Sequence, residues 1–354
     1  MIDLVADHVA ALDREYLDCV LGGGHGHLAS VVTERIGTGQ VAVTVRATLR
    51  WTVDDPSLPT TVVVKVAATE PDTPERQRRS ATYRREVCFY RLLASRIATS
   101  VPACRHAAHD PATGGFTIVL DEVSGAVGDQ LRGCTVAEAD AVVDAAVGLH
   151  APTWADPTLT SFDWLHASDD ESRRARRERY RLLLPGFTAR YAARLSTAVI
   201  GVAHWLSPRL HEVDRATRLP ECLTHQDLRI DNMLFTPTSA EPIVTVLDWQ
   251  TVGVGSGPGD LAYAIGSSLM TDERRAHEWR LVDRYIDGLR RNGIDVDSDD
   301  VRHDYRLGTA SGMVMAVIAS QSVGRTERGD ELFAVLAERH AQQMLDMDLD
   351  ELVD

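Results

Sequence analysis

The sequence predicts an α+β protein of two lobes, a small strand-rich lobe followed by a larger, mostly helical one. Three observations carry this. β-branched runs with period-two alternation crowd the first 66 residues, the pattern of half-buried strands. Beyond Gly125 the apolar spacing changes to that of helices. The chain, at 354 residues, is long enough for each lobe to bury its own core. The expected lobes are 1–123 and 124–354.

In the first lobe, Val31-Val32 leads to a turn at Gly37-Thr38-Gly39, and Val41 to Trp51 alternates Val and Thr with other residues. Asp54-Asp55-Pro56 turns the chain again before a third run, TVVVKV, ending at Val66. Thr73-Pro74-Glu75 combines a capping residue, a proline in the first turn and an acid at the positive end of the dipole. A helix is therefore expected from there through Tyr83 and Val87 to about Ile97. Phe116 to Leu120 makes a last buried strand, broken by Asp121-Glu122-Val123-Ser124-Gly125.

In the second lobe, Thr135-Val136-Ala137-Glu138 reads as a capping box, opening a helix that ends near His150. Residues 152–220 read as a further helical stretch. There, Asp169-Asp170-Glu171 precedes the arginines of 173–181. Acids first and bases later complement a helix dipole, so the arginines are expected to form a solvated face. Leu307 to Gly324 carries no charge, but its Ser, Thr and Gln residues and three glycines fit a buried core helix better than a membrane span. The tail DMDLDELVD is expected to be frayed.

Composition narrows the function classes. Hydrophobic residues at 44% and charged residues at 25% are ordinary for a globular protein. A formal net charge of −15 argues against a nucleic-acid partner, which rewards basic surfaces. The five cysteines (Cys19, Cys88, Cys104, Cys134, Cys222) are scattered without CxxC spacing, so reduced thiols and a cytoplasmic location are expected. The N-terminus carries early acids and no unbroken apolar stretch, unlike a signal peptide. His25 and His27 in a glycine-rich loop offer too few ligands for a metal.

The segment LTHQDLRIDNMLFTPTSAEPIVTVLDWQ, residues 223–250, concentrates the chemistry. Asp227 and Asn232 share what reads as one tight loop. Met233-Leu234-Phe235 and Ile243 to Leu247 are apolar runs around the turn Thr236-Pro237-Thr238-Ser239, a β-hairpin pattern with Asp248 at its far end. A hairpin brings its open ends together, so Asn232 and Asp248 are expected to converge beside Asp227. Three oxygen-bearing side chains suit a hard cation such as Mg²⁺ and a hydroxyl to be positioned, the needs of phosphoryl transfer. Lys65, in the middle of TVVVKV, is costly unless it lines a cleft or snorkels outward. Glu86, on the following helix, is its natural partner.

These motifs resemble the aminoglycoside phosphotransferase and choline kinase superfamily, which shares the protein-kinase-like bilobal fold. The wording HxD-x4-N with NMLF, then LDWQ, then GDLAY, with REVCFYRLL around Glu86 and LHAPTW at 149–154, is most similar to its ecdysteroid-kinase-like branch. The resemblance implies an ATP-dependent transfer to a hydroxyl of a small molecule, with GTP as the alternative nucleotide and Mg²⁺ as the metal. Asp227 would be catalytic base or orienter of the hydroxyl, and Asn232 and Asp248 would hold Mg²⁺. Lys65, set by Glu86, would meet the α/β-phosphates, with Gly37, Thr38 and Gly39 above them. The backbone of Asp121, Glu122 and Val123 would take the adenine edge, while His225 and Asp260 would brace the catalytic loop. Arg229 falls where protein kinases carry a lysine that neutralises the moving phosphoryl group. The helical insert of about 152–220 and the C-terminal helices would shape the acceptor pocket, with Trp154, Trp164, Tyr180, Trp205, Trp249, Tyr263, Tyr305 and Asp304 among the candidates. One departure is Gln226, where the family usually has Gly between the loop's His and Asp. A protein kinase, disfavoured by DWQ in place of DFG, and a silent pseudokinase are the alternatives.

Overall fold

The computed structural model describes residues 4–6, 8–37, 42–68, 73–165, 169–238 and 241–353. Two compact units emerge: residues 1–96, 101–124 and 247–251 form one, and residues 97–100, 125–246 and 252–354 the other.

The first unit contains α1 (Arg14–Gly22), β1 (Leu28–Ile36), β2 (Ala42–Trp51), β3 (Thr61–Ala67), α2 (Pro74–Cys88), β4 (Cys104–Asp110) and β5 (Gly115–Asp121). The strands make one antiparallel sheet in the order β1-β2-β3-β5-β4. Period-two alternation sorts its faces: Val62, Val64 and Val66 are buried in a core with Val45, Leu49 and Leu17, which sends Lys65 to the other face. On β5, Val64 is opposite Val119 and Lys65 opposite Ile118. The α2 helix starts as expected, with the Thr73 side chain accepting from the Arg76 amide, and Tyr83 stacks on Phe116 of β5 at 4.3 Å between centroids. It then passes into a π-turn at Phe89–Leu93.

Sequence reading misses α1 and β4. Strand β4, CRHAAHD, buries mainly small alanines between polar residues, so it offers no β-branched alternation to detect. The segment Leu247–Thr251 was expected with the second lobe but packs in the sheet unit. The cause is Trp249, fully buried and stacked on Phe89 at 3.9 Å, while Arg85 donates to the Gln250 carbonyl at 3.0 Å.

The second unit contains β6 (Ala126–Val127), α3 (Val136–His150), α4 (Asp170–Tyr191), α5 (Thr197–Arg215), β7 (Cys222–Thr224), β8 (Met233–Thr236), β9 (Ile243–Val246) and β10 (Gly253–Gly255). Five helices follow: α6 (Gly257–Ser268), α7 (Thr271–Arg291), α8 (Ser298–Gly308), α9 (Ala310–Ser320) and α10 (Glu327–Asp346). The Thr135/Glu138 capping box opens α3. The β8–β9 hairpin is present, with Met233 opposite Val246. Its core is helical, with Leu184 and Phe187 of α4, Leu206 of α5, Met313 and Val317 of α9 and Leu336 of α10 in one cluster.

The uncharged stretch 307–324 is buried, as expected, but breaks at Thr309 into the end of α8 and all of α9. Glycine is required within it: a Cβ on Gly312 would lie 2.0 Å from His340 Nε2, so the imidazole of α10 fits only against a bare backbone. The expectation of a frayed tail fails. Leu349 and Val353 are buried, and the Arg306 guanidinium donates to the carbonyls of Met347 and Asp348, so the acids ride on a docked segment. Among the described residues no helix is long and apolar enough to cross a membrane.

Candidate functional site

In the second unit, the loop after β7 is built around Asp227. Strands β7 and β10 pair, Thr224 opposite Gly253, and β10 feeds directly into α6. The Ser256 side chain caps α6 by accepting from the Gly259 amide, and Asp260 sits in the first turn. Its carboxylate accepts from the amides of His225 at 2.8 Å and Gln226 at 3.0 Å. Buried His150 stands beside Asp260 at 3.4 Å and hydrogen-bonds the Tyr285 hydroxyl through Nδ1 at 2.8 Å. The loop is thus held by backbone donors to a 6%-exposed carboxylate, where an unsatisfied charge would be costly.

Within the loop, the Asp227 carboxylate takes three donors. Arg229 Nε at 3.0 Å and the Tyr263 hydroxyl at 2.8 Å give to Oδ1, and Asn232 Nδ2 gives to Oδ2 at 2.9 Å. The same Asn232 nitrogen donates to the Asp227 carbonyl at 3.0 Å. With its nitrogen so committed, Asn232 has its Oδ1 as the end available to a cation. Arg229 also donates to Asp231 at 2.7 Å and is 19% exposed at the side chain, so it is folded into the loop rather than turned out to solvent.

Gln226 occupies φ +62°, the left-handed region that suits glycine. An ordinary L-residue therefore sits in a strained conformation there, held by the bond from its amide to Asp260. Burial of the neighbouring Leu228 and Ile230 over-determines the backbone there.

In the first unit, the Lys65 ammonium lies between two carboxylates, Glu86 Oε1 at 2.5 Å and Asp248 Oδ1 at 2.9 Å. Glu86 is 2% exposed and Asp248 31%. Burial alone would lower the lysine's pKa, but the charges of Asp248 and Glu86 outweigh it and hold Lys65 above its ordinary value. Burial raises the Glu86 carboxyl against the pull of Lys65. We take the lysine as charged, because two acidic partners oppose one desolvation cost. Asp248 itself has φ +64°, and its Oδ2 accepts from Gln250 Nε2 at 3.1 Å.

The remaining expected nucleotide contacts fare unevenly. Gly37 has φ +70°, as a tight turn requires; Thr38 and Gly39 lie outside the described residues. The Asp121 amide is given to the Ala103 carbonyl at 2.8 Å, so a base edge would meet this residue through its carbonyl, with the backbone of Glu122 and Val123 beside it. The side chains of Asp121 and Glu122 pair with Arg105 and Arg46.

Residues 46–292 match the model of the phosphotransferase enzyme family, APH. The chain belongs to this family. Its fold is shared with solved structures at low identity. The GDP complex of wild-type aminoglycoside 2'-phosphotransferase-IIIa gives a TM-score of 0.57 at 13% identity, covering 93% of this chain and 98% of that one. The gentamicin complex of APH(2")-IIa gives 0.55 at 14%, covering 97% and 99%. The ethanolamine kinase of Plasmodium vivax gives 0.53 at 11%, covering 96% and 90%. These likenesses establish the kinase-like α+β fold for this phosphotransferase-family chain. Among curated proteins, acyl-CoA dehydrogenase family member 11 of Gallus gallus is 37% identical over 87 residues, 23% of this chain but only 11% of that protein.

The family member's second unit also holds a cavity of about 330 Å³. Three helix faces wall it: Ser172, Arg173 and Arg176 on α4; Ser256, Gly259, Asp260 and Tyr263 on α6; Ser311, Val314, Met315 and Ile318 on α9. Thr224, Gln226 and Asp304 complete its rim with residues around Asp214 and Glu221. Of the aromatic acceptor candidates, only Tyr263 lines it. Tyr180 is spent on the Ala203 carbonyl and Tyr305 on Glu278, and Trp249 belongs to the other unit. The arginines expected as a solvated face are only partly so. Arg176 and Arg177 both bind Asp214, Arg173 binds Glu221, and Arg181 alone of these four stays 72% exposed. Sequence reading missed Arg173 and Arg176 because their partners lie about 40 residues downstream, beyond any helical spacing.

Proposed function

We propose that this protein is an ATP-dependent O-phosphotransferase that moves the γ-phosphate to a hydroxyl of a small molecule. The observation that carries the proposal is the Asp227 loop: a carboxylate fixed by bonds on both oxygens, with a carboxamide oxygen left over five residues on. In this reading Asp227 orients the acceptor hydroxyl and takes its proton, and Asp260 and His225 hold the loop. Arg229 steadies Asp227, and its guanidinium would supply charge for the moving phosphoryl group. Lys65, aimed by Glu86, takes the α/β-phosphates, with Gly37, Thr38 and Gly39 over them and the Asp121–Val123 backbone at the base. Residues 1–123 then serve the nucleotide and 124–354 the acceptor, with the insert at about 152–220.

Asp248 and Asn232 fit Mg²⁺: they are oxygen donors, and Mg²⁺ is commonly held by one or two protein groups plus substrate phosphates. Such an ion would neutralise phosphate charge. Placement in the ecdysteroid-kinase-like branch rests on the motif wording alone. The scattered spacing of the five cysteines, without a CxxC pair, supports a reducing, cytoplasmic setting.

The test is direct. Purified protein with Mg²⁺-ATP and a pool of alcohols should yield a phosphomonoester, and Asp227→Asn should abolish it while nucleotide binding persists. Full turnover in that variant would remove Asp227 from its role.

A further inference from the structure

We infer that the acceptor is an uncharged alcohol with an apolar body, bound in the α4–α6–α9 cavity, and that ammonium-bearing sugars and amines are excluded there. This rests on the phosphotransferase reading for what is done to the hydroxyl, but not for what the cavity holds.

The cavity looks acidic by composition, with Asp214, Glu221, Asp260 and Asp304 around it. Three of these carboxylates are buried, and all four are already engaged. Asp214 is 5% exposed and is shared by Arg176 and Arg177. Asp260 receives the loop amides of His225 and Gln226. Asp304, with a fully buried side chain, accepts from the amides of Arg218 and Leu219 at 2.9 and 3.0 Å. Glu221, the most accessible, is tied to Arg173 at 2.8 Å. The two arginines facing the cavity are neutralised by the same pairs. An ammonium entering would lose its water without reaching a carboxylate that is both exposed and free of an arginine, because Asp260 and Asp304 are 3% and 0% exposed at the side chain.

What the walls do offer is apolar surface and neutral hydrogen-bonding groups. Val314, Met315 and Ile318 recur on one face of α9, with Leu307 beside them. At the loop end stand Gln226 and Tyr263, the latter bonded to Asp227. An apolar body against α9 thus presents a hydroxyl toward the Asp227 loop, and Gln226 is the neutral side chain that meets it. A volume of about 330 Å³ lies at the small end of ligand pockets.

A matched pair of probes isolates charge from size. 4-Cyclohexylcyclohexanol and 4-(piperidin-1-yl)cyclohexanol differ by one ring atom, and only the second is an ammonium at neutral pH. Binding is measured calorimetrically on the whole protein without nucleotide, with kanamycin as a third arm. The neutral alcohol should bind at least about tenfold more tightly than its amine twin, with kanamycin undetected. Met315→Glu, which adds a carboxylate with no partner, should reverse that order, and Met315→Gln should not. Equal or tighter binding of the amine or of kanamycin, or binding of neither cyclohexanol, overturns the inference. Phosphate transfer from Mg²⁺-ATP to the bound probe is scored separately. Correct binding order without any transfer counts against the phosphotransferase reading and leaves the cavity assignment standing.

Discussion

The Tyr263 hydroxyl donates to Oδ1 of Asp227 at 2.8 Å, while the Tyr263 ring stacks at 5° on the imidazole of His340, centroids 5.5 Å apart. Helix α6 therefore reaches the loop twice, through Asp260 to the backbone and through Tyr263 to the carboxylate. The tyrosine is buried, and its hydroxyl's proton is held well above the ordinary range, chiefly by burial and then by the Asp227 charge. It acts as a fixed donor.

Tyr263→Phe removes that donor and leaves Arg229 on the same oxygen. Hydrogen bonds to a charged group contribute about 1.5–3 kcal/mol, so kcat should fall by roughly ten- to a hundredfold with the nucleotide KM unchanged. An unchanged kcat in steady-state kinetics would assign Tyr263 a purely structural role.

Lys65→Met leaves Glu86, 2% exposed, as a buried carboxylate without its cation. Breaking a buried pair on one side costs about 3–5 kcal/mol, visible as a lowered thermal midpoint. Adding Glu86→Gln should restore much of the stability but none of the transfer activity. A double variant as unstable as the single one would show that the pair is not the source of the loss.

Gln226→Gly relieves a left-handed L-residue. The gain should be about 1 kcal/mol, the αL penalty offset in part by glycine's greater freedom when unfolded. Urea midpoints measure this. Because Gln226 also lines the cavity, acceptor KM should rise while nucleotide KM does not.

His340 gives a pH dependence of stability. Burial lowers its pKa from 6.5 to about 3, and Arg274 and Arg339 add to this against the bond to Gln343. Between these values the unfolded chain binds a proton that the folded chain does not. Stability is therefore complete above about pH 6.5 and lost progressively as pH falls toward 3, by on the order of 5 kcal/mol. Unfolding curves of His340→Gln should be flatter across that window. An unchanged slope would mean that other groups govern it.

Much of the site could be read from residues 223–250, because both the hairpin and the tight loop are local. Apolar runs around a turn specify β8 and β9, and the spacing of Asp227 and Asn232 specifies one loop. Lys65 was legible because a charge inside a β-branched run needs an explanation, and Glu86 because α2 begins at a strong cap. Arg229 was harder. Its bonds to Asp227 and Asp231 follow from a loop conformation that residue order does not dictate. The cavity was not legible at all, since its walls come from α4, α6 and α9, and its charges cancel only through long-range pairs such as Arg176 with Asp214.

By itself, then, the sequence determined the order and kind of elements, the lysine and glutamate of the sheet unit, and the carboxylate and carboxamide of the loop. Periodicity, capping and turn chemistry act over a few residues and leave their mark in order along the chain. Tertiary structure alone decided which carboxylates are already bonded and which faces of three helices enclose a hollow. Those partners are fixed when distant helices pack, and desolvation then makes each pairing count.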